Sequence, residues 1–276
     1  MTRGVVYICA ADQLLAEAEL SAYSVRESNP DLTIGIITDD TSEVSDVFDL
    51  SIETSLSGSF ADKPGALELP FDRSLYMDTD IWVDGDLDPV FEILDQFDIA
   101  AVHNHDNYSR MAYENPDVPK TFPEYNTGII AFKKSLNVKS FIDRWKRTYQ
   151  ERTNLRPGDQ PSFRHTLYHS DLRVATLPPE YNCKFRYPGL AVGQIICFHG
   201  RILDVSSEGA VEQYSIEEAR NTLNNQTIAR SFAPNGTGGY NVIHSRTYAN
   251  KIRTRYKNEG ITGVVKGVLE QLSKLK

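Results

Sequence analysis

The sequence is poor in what membrane crossing, disulfide scaffolding and nucleic-acid binding require. In its 276 residues no apolar run approaches the roughly 20 residues that cross a bilayer. The opening run, residues 5–11, is cut off by Asp12 and reads as a buried first strand rather than a signal peptide. Only three cysteines occur, Cys9, Cys183 and Cys197, odd in number and without C-x-x-C spacing. That excludes a disulfide framework and predicts buried free thiols in a reducing compartment, so the expected address is the cytoplasm. Basic residues are outnumbered 29 to 38, for a net charge of −9, so there is no broad basic face for a phosphate backbone and no nucleic-acid partner is expected. Internal repeats and low-complexity segments are also missing. What is present is an ordinary globular composition, 40% hydrophobic and 24% charged, at a length that suits one large α/β domain with a small appendage.

The charge is uneven. Residues 246–276 hold eight basic and two acidic side chains, so they carry +6 and leave −15 on residues 1–245. Within that tail Ile261, Val264, Val265, Val268, Leu269, Leu272 and Leu275 recur at helical spacing, with Lys266, Lys274 and Lys276 off the stripe. Two readings follow: a helix packed on the acidic body, or a peripheral anchor laid on an anionic membrane surface.

Strand-like and helix-like stretches alternate through the first half, the pattern of a mostly parallel sheet flanked by helices. Residues 4–11 and 32–38 read as strands, with a helix over 13–27 capped by Asp12 between them. Residues 51–54 form a weaker extended stretch, and 62–69 a short helix that tolerates Pro64 in its first turn. Residues 74–83 read as one strand, 89–96 as a helix and 98–103 as a strand. Residues 110–124 are polar with three prolines and read as a long loop over a site. Further on come a strand at 127–132, helices near 136–150, 159–168 and 216–224, a strand at 195–199 and a flexible loop at 235–239.

The chemistry centres on Asp78-Thr79-Asp80. In an extended strand residues i and i+2 point to one side, so both carboxylates can face one ion. Hard oxygen ligands suit magnesium or manganese, which in turn clamp a diphosphate. Asp84-Gly85-Asp86 and Asp86-Leu87-Asp88 match the same spacing, but they follow the strand in a polar turn. Asp78 and Asp80 instead sit within the apolar run from Leu75 to Val83, where desolvation demands a partner. The bland alternative is a pair of turn aspartates. His103, His105, His165 and His169 have ligand-like spacing but read as surface or helix-face residues.

Other segments follow in order: Lys63 upstream, Tyr125-Asn126-Thr127-Gly128, Gly158-Asp159-Gln160-Pro161, the stretch from Leu177 to Asn182, and Cys197-Phe198-His199-Gly200. With the aspartate pair, this series resembles the GT-A fold glycosyltransferases over about residues 4–205, nearest in type to family 8 and its viral and bacterial relatives. The resemblance implies an α/β, Rossmann-like catalytic domain over 1–205 and a small helical appendage over 206–276. It implies a hexosyltransferase-type enzyme that moves a sugar from a UDP- or GDP-linked donor to a saccharide, lipid-linked or protein acceptor, with retention. On it, Asp78, Asp80 and His199 hold manganese or magnesium. Cys9, Ala10, Ala11 and Asp12 contact the nucleoside, and Lys63 and Arg201 neutralise the diphosphate, beside Thr79 and Gly200. Asn126, Asp159 and Gln160 surround the transferred sugar. One departure stands out: family 8 chains often continue G-x-x-K-P-W after the histidine, whereas this one reads Gly200-Arg201-Ile202-Leu203-Asp204, so the phosphate-clamping lysine is absent at its position and Arg201 is taken as its substitute. A sugar nucleotidyltransferase is the rival enzyme, but the end of strand one, Cys9 to Gln13, has no glycine and no base to hold a triphosphate. A catalytically dead nucleotide-sugar-binding module is the other alternative.

Overall fold

The computed structural model describes residues 1–104, 117–151, 158–203, 215–224 and 229–244, together with 256, 260–263 and 265. Residues 105–116, which carry the first part of the expected long loop, lie outside this set.

The chain opens with β1 (Arg3–Ile8), α1 (Ala11–Ser28), β2 (Thr33–Thr38) and β3 (Leu50–Glu53). Then come α2 (Asp62–Ala66), β4 (Arg73–Met77), β5 (Ile81–Val83), α3 (Asp88–Glu92) and β6 (Ile99–His103). After the undescribed segment follow β7 (Tyr125–Lys133), α4 (Leu136–Glu151), α5 (Gln160–Tyr168) and β8 (Val174–Leu177). The described chain closes with β9 (Cys183–Lys184), β10 (Gly189–Ala191), β11 (Cys197–His199), α6 (Ile216–Leu223), β12 (Arg230–Pro234) and β13 (Tyr240–His244).

Seven strands form the main sheet in the order β3-β2-β1-β4-β7-β6-β8. Only β7 runs against its neighbours, so β1, β2, β4, β6 and β8 end at the same edge. Strand alternation divides the burial between the two faces. Val5 and Tyr7 pack with Leu15, Ala18, Ala22 and Val25 of α1. Val6 and Ile8 face the opposite layer, where Phe141 and Trp145 of α4 meet Phe163 of α5. A third core joins Phe185 and Phe198 to Ala219, Leu223 and Phe232, spanning both sides of residue 205.

Three expectations are corrected. Residues 74–83 are not one strand: the chain leaves β4 at Met77, turns through Asp78-Thr79-Asp80, and resumes as β5 in a separate sheet with β11 and β9. The break is held by two backbone bonds, Asp78 N–H to the Gly128 carbonyl at 2.7 Å and Gly200 N–H to the Asp80 carbonyl at 2.9 Å. Second, α1 starts ahead of Asp12. Ala10 occupies the N-cap with extended backbone and no side-chain cap, and its carbonyl accepts the Leu14 N–H at 3.3 Å. Third, the segment read as a helical appendage contains a β-hairpin: β12 and β13 pair across 235–239, and β12 also pairs with β10. Short alternation in a polar stretch gave no signal for those strands.

Trp145 is fully buried, stacks edge-on against Phe163 at 4.9 Å between ring centroids, and donates its indole N–H to Ser162 Oγ at 3.0 Å. Trp145→Ala is expected to destabilise the fold by about 3–5 kcal/mol, read as a lowered urea midpoint at unchanged slope.

Candidate active site

The turn between β4 and β5 projects two carboxylates over the carboxyl edge of the sheet, and β11 brings His199 to them. Ligand atoms of Asp78, Asp80 and His199 lie within 4.8 Å of one another, forming the one metal-capable group of three among the described residues. His199 Nε2 is 3.5 Å from Asp80 Oδ1. Its other nitrogen is committed. Asn182 Nδ2 donates to Asn126 Oδ1 at 2.8 Å, which orients Asn182 Oδ1 as the acceptor for His199 Nδ1 at 2.7 Å. With the proton on Nδ1, Nε2 presents a lone pair toward the carboxylates, the usual arrangement of a ligating histidine.

Space at this point is set by Gly128. A Cβ there would stand 2.5 Å from His199 Cε1 and 3.0 Å from Asp78 Oδ2. The donor set therefore fits a hard divalent cation in chemistry, and the backbone beside it is bare where a side chain would intrude.

Lys63, from α2, reaches into the same place with its side chain 10% exposed. Its ammonium lies 2.8 Å from Asp78 Oδ1 and 3.3 Å from Asp159 Oδ2, and donates to the Thr127 carbonyl at 3.1 Å. Burial works against the charge, but Asp159 and Asp78 outweigh it and hold the lysine above its ordinary range. Burial likewise opposes ionisation of Asp78, yet Lys63 and then His199 prevail, and the carboxyl sits below the usual range with the Tyr76 hydroxyl donating to it at 2.6 Å. Asp80 goes the other way: burial, with Asp78 and Glu17 adding repulsion, pushes it up despite His199. A cation at this position relieves that cost.

A cleft of about 500 Å³ opens beside these groups, a size usual for small-molecule sites. Cys9, Ala10, Lys63, Asp78, Thr79, Asp80 and Arg201 all line it. Ala11 and Asp12 form the first turn of α1 at its end. Asn126, Asp159 and Gln160 do not line that cleft; they join the site through Asn182, Lys63 and Asn104. Asp159 stands at the N-cap of α5 but does not cap it with its side chain. Its carboxylate is turned to Lys63, while its carbonyl accepts the Phe163 N–H at 3.0 Å. Gly200 adopts φ 150°, and a Cβ there would meet the Phe185 ring at 3.0 Å. Of the rival aspartate pairs, Asp84 is taken up by Arg220 and Asn224, and Asp88 by Arg3.

Sequence reading missed two contributors, Glu17 and Asn104. Glu17 of α1 is 1% exposed. Its carboxylate accepts Arg201 at 2.7 Å, the Ile202 N–H at 2.9 Å and the Thr79 hydroxyl at 3.4 Å. Asn104 donates to Glu124 at 2.6 Å and to Gln160 at 2.7 Å. Glu17 looked like an exposed helical glutamate, and nothing in its local pattern marks the 184-residue reach to Arg201. Asn182, by contrast, stood inside a segment already singled out.

The mostly parallel sheet flanked by helices is a fold of the GT-A type. Residues 73–191 match the family model of the nucleotide-diphospho-sugar transferases. The glycosyltransferase GlyE of Streptococcus pneumoniae TIGR4 is similar in structure, at a TM-score of 0.53 and 18% identity, over 78% of this chain and 57% of that one. The galactosyltransferase LgtC, solved with donor and acceptor sugar analogues, has a TM-score of 0.46 at 15% identity over 65% of this chain and 74% of its own. Mouse xyloside xylosyltransferase 1 gives 0.49 at 14% identity over 72% and 98%. No curated protein matches in sequence.

Burial, reinforced by Asp39, pushes the Cys9 thiol up to about 12, and burial also raises Cys183 to about 12 and Cys197 further. At pH 8 the native thiolate fraction of Cys9 is then ~10⁻⁴, against roughly a quarter in the unfolded chain. Iodoacetamide at pH 8 should leave all three cysteines unmodified in native protein and label all three in urea, as counted by mass spectrometry.

Proposed function

We propose that this protein transfers a hexosyl group from a UDP- or GDP-linked sugar to an acceptor hydroxyl, with retention of configuration and with manganese or magnesium as cofactor. The observation that carries the reading is the convergence of Asp78, Asp80 and His199 at one point of a cleft on the carboxyl edge of a mostly parallel sheet, where such sheets bind nucleotides. Asp78, Asp80 and His199 would hold the metal, which supplies electrostatic stabilisation of charge on the departing diphosphate. Asn182 and Asn126 keep His199 in its ligating tautomer. Cys9, Ala10, Ala11 and Asp12 border the nucleoside. Arg201, anchored by Glu17 yet open to the cleft, offers its guanidinium to phosphate oxygens beside Thr79 and Gly200. Lys63 lies in the same cleft and serves the diphosphate with Arg201, while Asp159, Asn126 and Gln160 close round the sugar.

Retention is favoured by the state of Asp159. An inverting enzyme needs a carboxylate placed to take the acceptor proton. Asp159 is buried and turned to Lys63 rather than to open cleft where an acceptor hydroxyl could reach it.

Asp80→Asn is expected to lower turnover at least about 10²-fold, near 2.7 kcal/mol of barrier, at native stability. Chelator should do the same to the unaltered protein, with activity restored by manganese, as followed by release of nucleoside diphosphate. Unchanged activity in chelator would refute the metal role. The anomeric proton of the product, read by NMR, tests retention.

A peripheral membrane location for the tail belongs to the same proposal. No helix among the described residues is long and apolar enough to cross a membrane. Ile261 and Val265 are helical yet 70% and 53% exposed, which supports an apolar stripe left open rather than packed. Val264, Val268, Leu269, Leu272 and Leu275 lie outside the described residues. The full chain should co-sediment with phosphatidylserine-containing vesicles at low salt, and a version ending at Asn258 should not; equal behaviour of the two would remove the anchor.

A further inference from the structure

Strands β6 and β8 run parallel and end side by side, with Val102 opposite Leu177. Beyond their ends lies a second cleft, again of about 500 Å³, that differs in chemistry from the nucleotide cleft. Val102, Leu177, Pro179, Pro188 and Leu190 form its walls, and His103 and Thr176 are its polar side chains. Among the described residues no lysine, arginine or carboxylate lines it, a lining unlike one built for phosphate or for a charged sugar.

Its walls run straight into the residues round the transferred sugar. His103 precedes Asn104, whose amide holds Gln160. Pro179 opens the short turn that leads to Asn182, the partner of His199. The Thr176 hydroxyl shares a hydrogen bond of 3.1 Å with the hydroxyl of Tyr125, which adjoins Asn126. At the mouth Leu190 is 53% exposed, flanked in the chain by Tyr187 and Val192, also exposed. A single exposed leucine is ordinary; three large apolar side chains within six residues beside a site point to something that covers them.

We propose that this cleft receives the apolar aglycone of the acceptor, so that the substrate is an alkyl-linked, glycolipid-type molecule with its reactive hydroxyl at Asn104 and Gln160 and its chain along Leu177, Pro188 and Leu190. The inference rests on the glycosyl-transfer reading and narrows its acceptor class. An alkyl chain fits better than a peptide because a buried peptide brings amide groups that need hydrogen-bond partners, and the described lining offers only two polar side chains.

The full chain can be titrated by calorimetry with octyl β-D-glucopyranoside below its micellar concentration and with methyl β-D-glucopyranoside. Burying two methylenes multiplies affinity about tenfold, so the octyl glycoside should bind at least about 10-fold tighter than the methyl. Leu190→Asp should abolish most of that difference, and Leu190→Met should keep it. Leu190 is exposed, so neither variant should disturb the fold. Binding of UDP or GDP with manganese, measured on the same samples, should be unchanged in both. Equal affinity for the two glycosides would overturn the proposal, as would an octyl preference that survives Leu190→Asp, or equally strong competition by an apolar peptide. Failure of the unaltered chain to bind either nucleotide would sink the glycosyl-transfer reading instead, and is read separately.

Discussion

A buried ammonium links the two halves of the site. Lys63 stands between Asp78, at the end of β4, and Asp159, at the start of α5, and it has almost no water to fall back on. Removing the lysine would leave two carboxylates without their shared cation in a poorly solvated place, at about 3–5 kcal/mol for a buried pair. The pair is therefore geometry as much as stability: the helix that presents Gln160 and the turn that presents the aspartates are registered against the same nitrogen. It also explains why Asp78 and Asp80 are electrostatically unlike. Asp78 is neutralised by a protein cation in contact with it, whereas for Asp80 burial and the repulsion of Asp78 and Glu17 outweigh His199 and Arg201, and that imbalance suits an added cation.

Around this pair the site is organised by side-chain amides. Asn126 accepts from the Gly128 N–H at 2.9 Å as well as from Asn182. A chain of fixed dipoles thus runs from β7 through Asn182 to the imidazole, and each link sets the orientation of the next. The bare Cα of Gly128 leaves room at its centre. Glu17 performs the matching task on the other wall, where one buried carboxylate gathers Arg201, Ile202 and Thr79 onto α1. Three elements far apart in the chain are held at fixed separation by acceptors that have no other partner to prefer.

The two clefts divide recognition by chemistry. One is polar and charged, at the ends of β1 and β4; the other is apolar, at the ends of β6 and β8. Antiparallel β7 lies between them, carrying Tyr125, Asn126 and Gly128. A transferred group held over β7 would meet a polar donor side and an apolar acceptor side.

Much of this was legible in local pattern. Alternating strand and helix periodicity, an aspartate pair in an apolar run and a histidine closing an apolar strand are each properties of a few neighbouring residues, so the mostly parallel sheet and the candidates Asp78, Asp80 and His199 could be read before any fold. The turn at 78–80 was not legible, because an apolar run looks the same whether a strand continues or changes sheets; only the bonds from Gly128 and to Gly200 break it. Asp159 at the start of a helix and Glu17 within one carry no local sign of their partners. Both are held by residues distant in sequence, Lys63 and Arg201, since a buried carboxylate goes to whichever donor the packing leaves closest. Sequence determined which chemical groups the protein has and the elements that carry them. The tertiary structure alone decided which charges meet, because that depends on contacts between segments whose separation along the chain carries no periodic signal.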